Sequence, residues 1–516
     1  MERRTCQGWL ARSVMTVFLL GAMECVAWAT TYDVHSGDDL FSIWASLSAG
    51  DEVVVHDGTY TVGGYHTQEW HGTETSPIVV RAADGEHAVV QGDASQNAMN
   101  LTGEYFTFRG IEIKGGSHGL RLDNVHDALI EDLEIHNTDD VALSANRDGS
   151  ENHHITFRRL HLHDTGGSGE GMYLGCNNAG CIFHDNVIED SWIHDTNHGV
   201  AQGDGIEIKV GSYGNVVRNN VIYNTHYPCI IVYGTQGHAQ NVLENNVMWD
   251  CGDSGIQAAA DTVIQNNLIF RAGEGINSHT HQGAVPSNLV IVNNTVVDCS
   301  DQCLRSSDWA GSTGIVVANN AFYCDNSGAV RIASGGSEIV FTNNVVTGTV
   351  QGVSSGYIQG NGMDQDLTDP ANLDAWPKDG CLLIDAGDAT YAPTVDYNWA
   401  TRDDHPDIGA YEWQSSGNPG WKPGPGYRPL SDGGVLPDGS VDDGGTTPDG
   451  AALDGQSDHG DSGTQGDGAA TGDGSSSSSS SDSGCSCRST SDQGAVPLSV
   501  LLGIVGLFLW VRRKQV

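Results

Sequence analysis

The sequence predicts an all-β fold: a right-handed, single-stranded parallel β-helix of about ten coils, capped at its N-terminal end and followed by a disordered stalk and a C-terminal transmembrane helix. Six Asn-Asn pairs, at Asn219-Asn220, Asn245-Asn246, Asn266-Asn267, Asn293-Asn294, Asn319-Asn320 and Asn343-Asn344, recur at steps of 26, 21, 27, 26 and 24 residues. A period in that range marks a solenoid whose unit is one short supersecondary coil. Each pair sits in the same frame of apolar residue, Asn-Asn, apolar residues and polar turn, as in Val217-Arg218-Asn219-Asn220-Val221-Ile222-Tyr223-Asn224-Thr225. The apolar stretches are short, β-branched and alternating, whereas helical repeats need a 3.6-residue period over a dozen residues. Asn suits the bend because it tolerates left-handed backbone angles, and stacked amides can hydrogen-bond from coil to coil. The Asn pairs are therefore read as structural.

The elements follow in order. Residues 1–29 read as an export signal: Arg3, Arg4 and Arg12 precede the apolar run Val14-Met15-Thr16-Val17-Phe18-Leu19-Leu20, and Ala27-Trp28-Ala29 offers a small-x-small cleavage site. Residues 30–92 are the N-terminal cap and first strands, with a helix-like Leu40 to Leu47 and a strand and turn over Gly50 to Tyr60. A solenoid needs such a cap to cover its first open core layer. Residues 93–350 are the coils. Upstream of the Asn pairs the frame continues at Ile130-Glu131-Asp132-Leu133-Glu134-Ile135, Phe157-Arg158-Arg159-Leu160-His161-Leu162 and Ile188-Glu189-Asp190-Ser191-Trp192-Ile193, at steps of 27, 31 and 29. Residues 351–428 close the solenoid. Residues 429–484 are a stalk of Asp, Gly and Ser that cannot bury enough apolar surface to fold and extends by self-repulsion. Residues 485–516 hold Cys485-Ser486-Cys487, an apolar run from Ala495 to Val511 and the basic end Arg512-Arg513-Lys514, the pattern of a short membrane anchor.

Charge excludes one class of partner. The chain has 23 Lys and Arg against 66 Asp and Glu, a net charge of -43, and between residues 30 and 429 the counts are 16 and 52, a net charge of -36. Nucleic-acid binding needs clustered Lys and Arg to displace counterions, so none is expected. An acidic polysaccharide is repelled at long range unless bound cations offset the charge. The cysteines fit an oxidising compartment. Cys176 and Cys181 flank a short insertion and are expected to pair; the partners of Cys229, Cys251, Cys299, Cys303, Cys324 and Cys381 stay open. No Cys/His spacing of a zinc site appears in the linear sequence.

The candidate site comes from strand alternation. In Gly205-Ile206-Glu207-Ile208-Lys209 the two Ile fill the core, so Glu207 and Lys209 point outward. Matching outward residues on neighbouring coils are Arg121, Tyr173, Tyr233, Gln257, Asn277, His279, Arg305 and Arg331. At the preceding turn stand His118, Asp140, Glu170, Asp204, Ser254, Glu274 and Gln302. Coils stack about 4.8 Å apart, which puts Glu170, Asp204, Glu207 and Lys209 in one patch.

Several segments resemble known families. Ala49-Gly50-Asp51 through Asp57-Gly58-Thr59-Tyr60, followed by Thr75-Ser76-Pro77-Ile78-Val79-Val80-Arg81-Ala82, is similar to the start of the alginate lyase and chondroitinase B family, within the pectin lyase-like β-helix proteins. Arg402-Asp403-Asp404-His405-Pro406-Asp407-Ile408-Gly409-Ala410-Tyr411-Glu412 resembles a closing motif of secreted bacterial β-helices. Asp204-Gly205-Ile206-Glu207-Ile208-Lys209 resembles a strand in which that family places an acidic calcium ligand five residues before a catalytic Lys, and it also matches the Asp-Gly-x-x-x-Lys motif of another pectate lyase family. There are departures: the first family's Arg falls at Val232 or Tyr233, and the second family's Asp cluster is absent from Asn224-Thr225-His226-Tyr227-Pro228. The order Cys485-Ser486-Cys487, apolar segment, basic end resembles myxobacterial C-terminal sorting tails. That resemblance implies that Cys485 or Cys487 is processed or modified, with a disulfide as the alternative.

These resemblances imply an exported, surface-anchored lyase acting on a uronic-acid polysaccharide by β-elimination. Glu170, Asp204 and Glu207 would hold Ca²⁺, a hard ion that takes oxygen ligands. Lys209 would be the base, and Tyr233, His279 or Arg305 the proton donor or charge clamp. The plainer alternative is that Lys209 only pairs with Glu207 or Asp204 on an exposed sheet. Two other readings stand beside the lyase. Asn137-Thr138-Asp139-Asp140 resembles a polygalacturonase motif, which implies a hydrolase. His136, His163, His194, Tyr223, Trp249 and Phe270 form an outward column on another sheet, flat side chains on which sugars could stack in a non-catalytic glycan binder or adhesin. The expected partners are an acidic polysaccharide and, through the C-terminal anchor, a membrane, with the chain acting as a monomer.

Overall fold

The computed structural model describes residues 29–429. The expected signal segment up to residue 28, the stalk from residue 430, Cys485, Cys487 and the transmembrane segment lie outside the described residues. No helix among the described residues is long and apolar enough to cross a membrane.

Thirty-five strands are hydrogen-bonded into one continuous sheet that winds as a right-handed parallel β-helix with three faces. On the first face Val187–Glu189 pairs in parallel with Val216–Arg218, and that strand with Asn241–Glu244. On the second, His161–His163 pairs with Trp192–Thr196, followed by Val221–Thr225. On the third, Met172–Leu174 pairs with Ile206–Ile208, followed by Ile230–Val232. Parallel pairing begins with Thr31–Val34 against Glu52–Val55. Alternation sends every second side chain inward, and in-register pairing stacks like on like. The third face alone presents Leu120, Leu143, Met172, Ile206, Ile230, Ile256, Ile276, Leu304 and Val330 as one column, all fully buried. Each such side chain contributes about 1.5–3 kcal/mol relative to exposure.

The helix-like segment is α1, Leu40–Trp44, shorter than its pattern suggested and capped by Asp39, whose carboxylate accepts from Ser42 N. It buries Leu40, Phe41 and Trp44 over the first open layer, where Trp44 meets Trp70 and Phe108 edge-on. The solenoid is thus covered at its start.

Each Asn pair divides two tasks between its members. The first, at the bend from the first face to the second, adopts a left-handed backbone: φ is 59° at Asn219, 55° at Asn245, 53° at Asn266, 52° at Asn293, 57° at Asn319 and 49° at Asn343. Asp132, Arg159 and Asp190 occupy the same seat upstream. The second Asn points inward and builds a ladder. Asn246 Nδ2 donates to Val217 O at 2.8 Å and to Asn267 Oδ1 at 3.0 Å, while Asn246 Oδ1 accepts from Asn220 N and Nδ2. Asn267, Asn294, Asn320 and Asn344 continue the chain of amides. A second ladder, Asn186 to Asn215 to Asn241, joins the third face to the first. No repeated pair marks it in the sequence.

The closing segment folds back along the second face. Leu373, Trp376, Tyr397 and Tyr411 pack on Val221, Val247, Trp249, Phe270 and Tyr323, and the outer Asn residues bind it: Asn245 Nδ2 donates to Tyr397 O, Asn293 Nδ2 to Asp407 O and Asn343 Nδ2 to Ala386 O. Buried Arg402 donates to Asn266 Oδ1 and Glu412. This corrects the expectation of an open aromatic platform. His136, His163, His194, Tyr223, Trp249 and Phe270 do align, and the first five rings stack successively at 4.4–5.1 Å. Yet Trp249 and Phe270 are 5% and 0% exposed, because burying them under the closing segment removes more apolar surface from water than an exposed stripe would.

Cys176 pairs with Cys181 as expected; Cys229–Cys251 and Cys303–Cys324 staple neighbouring coils, leaving Cys299 and Cys381 as buried thiols.

Replacing Asn246 by Ala strands partners on both neighbouring coils, and each buried group left unpaired costs about 1–3 kcal/mol. Thermal and denaturant unfolding of the full-length protein should show a loss of that size per stranded group for Asn246→Ala. Asn372→Ala, which removes exposed bonds to Asp369, should cost visibly less; equal losses would contradict the ladder's role.

Candidate active site

The third face carries the densest polar cluster of the described residues. Glu207 lies between Tyr173 on the preceding coil and Ile231 on the next. Lys209 follows on the same outward side, opposite Tyr233, whose amide donates to Ile208 O. Glu170 and Asp204 occupy equivalent turn positions one coil apart, with Gly171 N donating to Asp204 O at 2.9 Å. All of them are buried although they point away from the core: Glu170 is 0% exposed, Asp204 and Glu207 2%, Lys209 and Tyr233 3%. Of the alternative reading, the pairing of Lys209 with Glu207 holds, but on a buried face and not on an exposed sheet.

Lys209 Nζ donates to Glu207 Oε1, and Tyr233 Oη donates to the same oxygen at 2.9 Å. The ammonium also sits 4.3 Å from the Tyr173 ring centroid and 5.3 Å from that of Tyr233, between two π faces that favour a cation. Gly175 is required beside it. Its φ is +94°, and a Cβ there would stand 2.6 Å from Ser212 Oγ and 3.1 Å from Lys209 Cβ.

Glu170, Asp204 and Glu207 each present one carboxylate oxygen within 4.8 Å of the other two. Glu170 Oε1, Asp204 Oδ1 and Glu207 Oε2 are buried without a hydrogen-bond partner. Three buried carboxylates facing one another are costly unless a cation or protons offset them. Burial, then Glu207 and Glu170, push the Asp204 carboxyl well above its ordinary range; burial likewise raises Glu170, against the hydrogen bond from Ser168. Oxygen-only donors in a converging set fit a hard divalent ion. Burial, reinforced by Glu207, also pushes the Tyr233 phenol upward, so it stays protonated at neutral pH.

Asp204, Glu207, Lys209, Tyr173 and Tyr233 floor a cleft of about 520 Å³ lined also by Asn177, Gln202, Tyr227, Asp253, Gln257, Glu274, Asn277, His279, His281, Gln282 and Arg305, with Glu170 buried behind them. Of the expected residues, Glu170, Asp204, Glu207, Lys209 and Tyr233 come together. His279 and Arg305 line the cleft farther along. Arg305 stands four coils from Glu207, roughly 19 Å at the strand spacing, and is engaged by Glu274. His279 Nε2 lies 3.2 Å from His281 Nδ1, and burial lowers both imidazoles, keeping them neutral.

Sequence reasoning missed His281, Gln282 and Asn177. His281 belongs to an insertion between coils, closed by a bridge to Ala284, and its ring reaches back to 5.1 Å from Tyr233. Gln282 Nε2 donates to Asn177 Oδ1 at 3.0 Å, so this insertion meets the Cys176–Cys181 loop above Lys209. Insertions have no periodicity to read. Tyr173 was read from the coil frame as an outward neighbour, and Ser168, inside the same frame, could have been found by it.

Residues 34–172 match the family described as Pel9A-like, right handed beta helix region, and residues 187–313 match the right handed beta helix region family. This chain resembles the pectate lyase-like right-handed β-helix proteins. Pectate lyase L of Dickeya dadantii (strain 3937) is 25% identical over 273 residues, covering 39% of this chain and 64% of that protein, so the chain spans less than two thirds of that relative. Solved structures that align with it include an alginate lyase from Paenibacillus sp. str. FPU-7, with a TM-score of 0.42 and 18% identity over 64% of this chain and 99% of that one. Pectate lyase Pel9A aligns with a TM-score of 0.44 and 16% identity over 76% of this chain and 98% of that one.

The raised carboxyls make a pH test. Folded Asp204 and Glu170 hold protons more tightly than the unfolded chain, whose values lie near 3.8 and 4.5. Their stabilising contribution is full below those values and lost as pH rises through the folded ones. With chelator present, the melting temperature of Asp204→Asn should fall less steeply above pH 4 than that of the unaltered protein; parallel slopes would contradict the shift.

Proposed function

We propose that this chain is a Ca²⁺-dependent polysaccharide lyase, exported and anchored at the cell surface, that cleaves a uronic-acid polymer by β-elimination. The observation that carries the reading is the buried triad of Glu170, Asp204 and Glu207, each with an unpartnered oxygen, with Asp204 and Glu207 lining an open cleft beside Lys209 and Tyr233. The match to pectate lyase L supports a polyuronate substrate. Export and anchoring rest on the sequence of residues 1–29 and 485–516.

The reaction breaks the C–H bond next to the sugar carboxylate, forms a ring C=C bond and breaks the C–O bond to the leaving sugar. That C–H proton is weakly acidic, so the carboxylate must be neutralised as the proton leaves. Ca²⁺ held by Glu170, Asp204 and Glu207 would supply that neutralisation and offset the repulsion between polyuronate and a protein of net charge -36 between residues 30 and 429. Lys209, once released from Glu207 and deprotonated, takes the proton. Tyr233, still protonated and bonded to the same Glu207 oxygen as Lys209, is the donor to the leaving oxygen. Tyr173 and Tyr227 offer flat faces to the sugars, and Arg305 and His279 bind substrate farther along the cleft.

The test is to incubate the full-length protein with alginate, pectate or chondroitin, in Ca²⁺ or chelator, and to follow the ultraviolet absorbance of unsaturated ends. Absorbance should rise with one polymer, depend on Ca²⁺ and fall by about 10²–10⁴-fold in Lys209→Ala, the range of a lost general base. Reducing ends without absorbance would mean hydrolysis, and retention of polymer without cleavage would mean a binder. Either result, or full activity in Lys209→Ala, overturns this assignment.

A further inference from the structure

The second face holds a separate cluster that the lyase chemistry does not use. Register places Glu134, His161 and Trp192 in one outward column and His136, His163 and His194 in the next. His161, His163 and His194 thereby bring one ring nitrogen each within 4.8 Å of the others. His161 Nε2 lies 2.9 Å from His194 Nε2, and His163 Nε2 lies 3.1 Å from Glu134 Oε1. The linear sequence shows no metal spacing because the three ligands come from two coils, and only their stacking assembles them.

The outer nitrogens are already held. Asp164 Oδ2 binds His163 Nδ1 at 2.8 Å and Asp195 Oδ2 binds His194 Nδ1 at 2.8 Å. Both Asp residues follow their His directly, in left-handed seats with φ of 51° and 52°. A carboxylate on Nδ1 fixes the tautomer and turns the Nε2 lone pair inward, as around protein-bound zinc. Around a tetrahedral ion with ligands at 2.0–2.1 Å, ligand atoms stand roughly 3.3 Å apart. The 2.9 Å between His161 Nε2 and His194 Nε2 is within a few tenths of that. Trp192 stacks on His161 at 4.0 Å, yet the three imidazoles retain 10–17% side-chain exposure, so an ion can enter without unfolding.

We propose that His161, His163 and His194 form a site for a divalent transition ion of the zinc class. Imidazole donors suit Zn²⁺ or Co²⁺ and not Ca²⁺, which separates this site from the carboxylate triad on the third face. Ligands drawn from two coils let a bound ion pin those coils together. It ties His161 and His163 to His194 on the next coil, beside the place where Tyr427 Oη donates to Arg159 O.

The full-length protein, freed of metal with chelator, is titrated with Zn²⁺ and, separately, with Co²⁺. One tight equivalent, a raised melting temperature and the visible absorption of tetrahedral Co²⁺ are expected. Asp195→Asn, which leaves every ligand in place, should weaken binding about 10–100-fold, and the paired change His161→Gln with His194→Gln should abolish it. His126→Gln with His153→Gln, in another imidazole stack, should leave it intact. If the ligand variants do not fold, the unaltered protein answers by diethyl pyrocarbonate labelling: Zn²⁺ should shield His161 and His194. No saturable equivalent, loss of binding in the His126 and His153 variant, or unshielded His161 and His194 would overturn the proposal.

Discussion

The structure depends on one buried interaction, the run of side-chain amides from Asn220 through Asn246, Asn267, Asn294 and Asn320 to Asn344. A parallel coil must reverse direction at every corner, and each reversal leaves inward-facing backbone groups that neither sheet can pair. An inward Asn answers this with one residue: its Oδ1 accepts from the coil before, and its Nδ2 donates to the coil after and to a carbonyl. Since the amide reaches only its in-register neighbour, the ladder also forbids slippage. A one-residue slip would send the apolar column from Leu120 to Val330 to the surface.

Fixed register has a cost that becomes function. Stacking like on like is favourable for Ile and Val and unfavourable for carboxylates, yet the same rule brings Glu170 and Asp204 to equivalent turns one coil apart, with Glu207 against them. The apolar columns supply the stability that holds these like charges together, and the strain shows as unpartnered oxygens and raised carboxyls. Lys209 offsets part of it through Glu207, and the two tyrosine faces hold the ammonium. A site that attracts a cation is thus the expected product of a rigid solenoid with acids in one column.

Much of this was legible before any coordinates. The spacing of the Asn pairs and the alternation around Ile206 and Ile208 sufficed to place Glu207 and Lys209 outward and Tyr233 opposite Lys209, because both are properties of a repeating backbone. Three things were not legible. Outward does not mean exposed: Lys209 is roofed by Tyr173, Tyr233 and loops whose lengths obey no period. The partner of an outward face cannot be read from that face, so Trp249 and Phe270 looked like a sugar platform until the closing segment, itself without periodicity, was seen to cover them. Finally, column position says which residues share a side but not how far apart along the axis they act, which is why Arg305 fell into the candidate set although four coils separate it from Glu207.

The two polar clusters show how one geometric rule can yield different chemistry on different faces. On the third face the outward and turn positions carry carboxylates, so coil stacking makes an oxygen cage that opens into a cleft. On the second face the same stacking operates on alternating Glu and His, and the left-handed seat after each strand adds an Asp that grips Nδ1 of the preceding ring. The bend that Asn219 serves structurally is mirrored, one corner later, by the bend at which Asp164 and Asp195 orient imidazoles. A left-handed seat accepts Asn and Asp about equally well. Asn137, Asp164 and Asp195 all hold Nδ1 of the preceding ring at 2.8 Å, and Asp adds to that contact a charge that the neutral amide lacks.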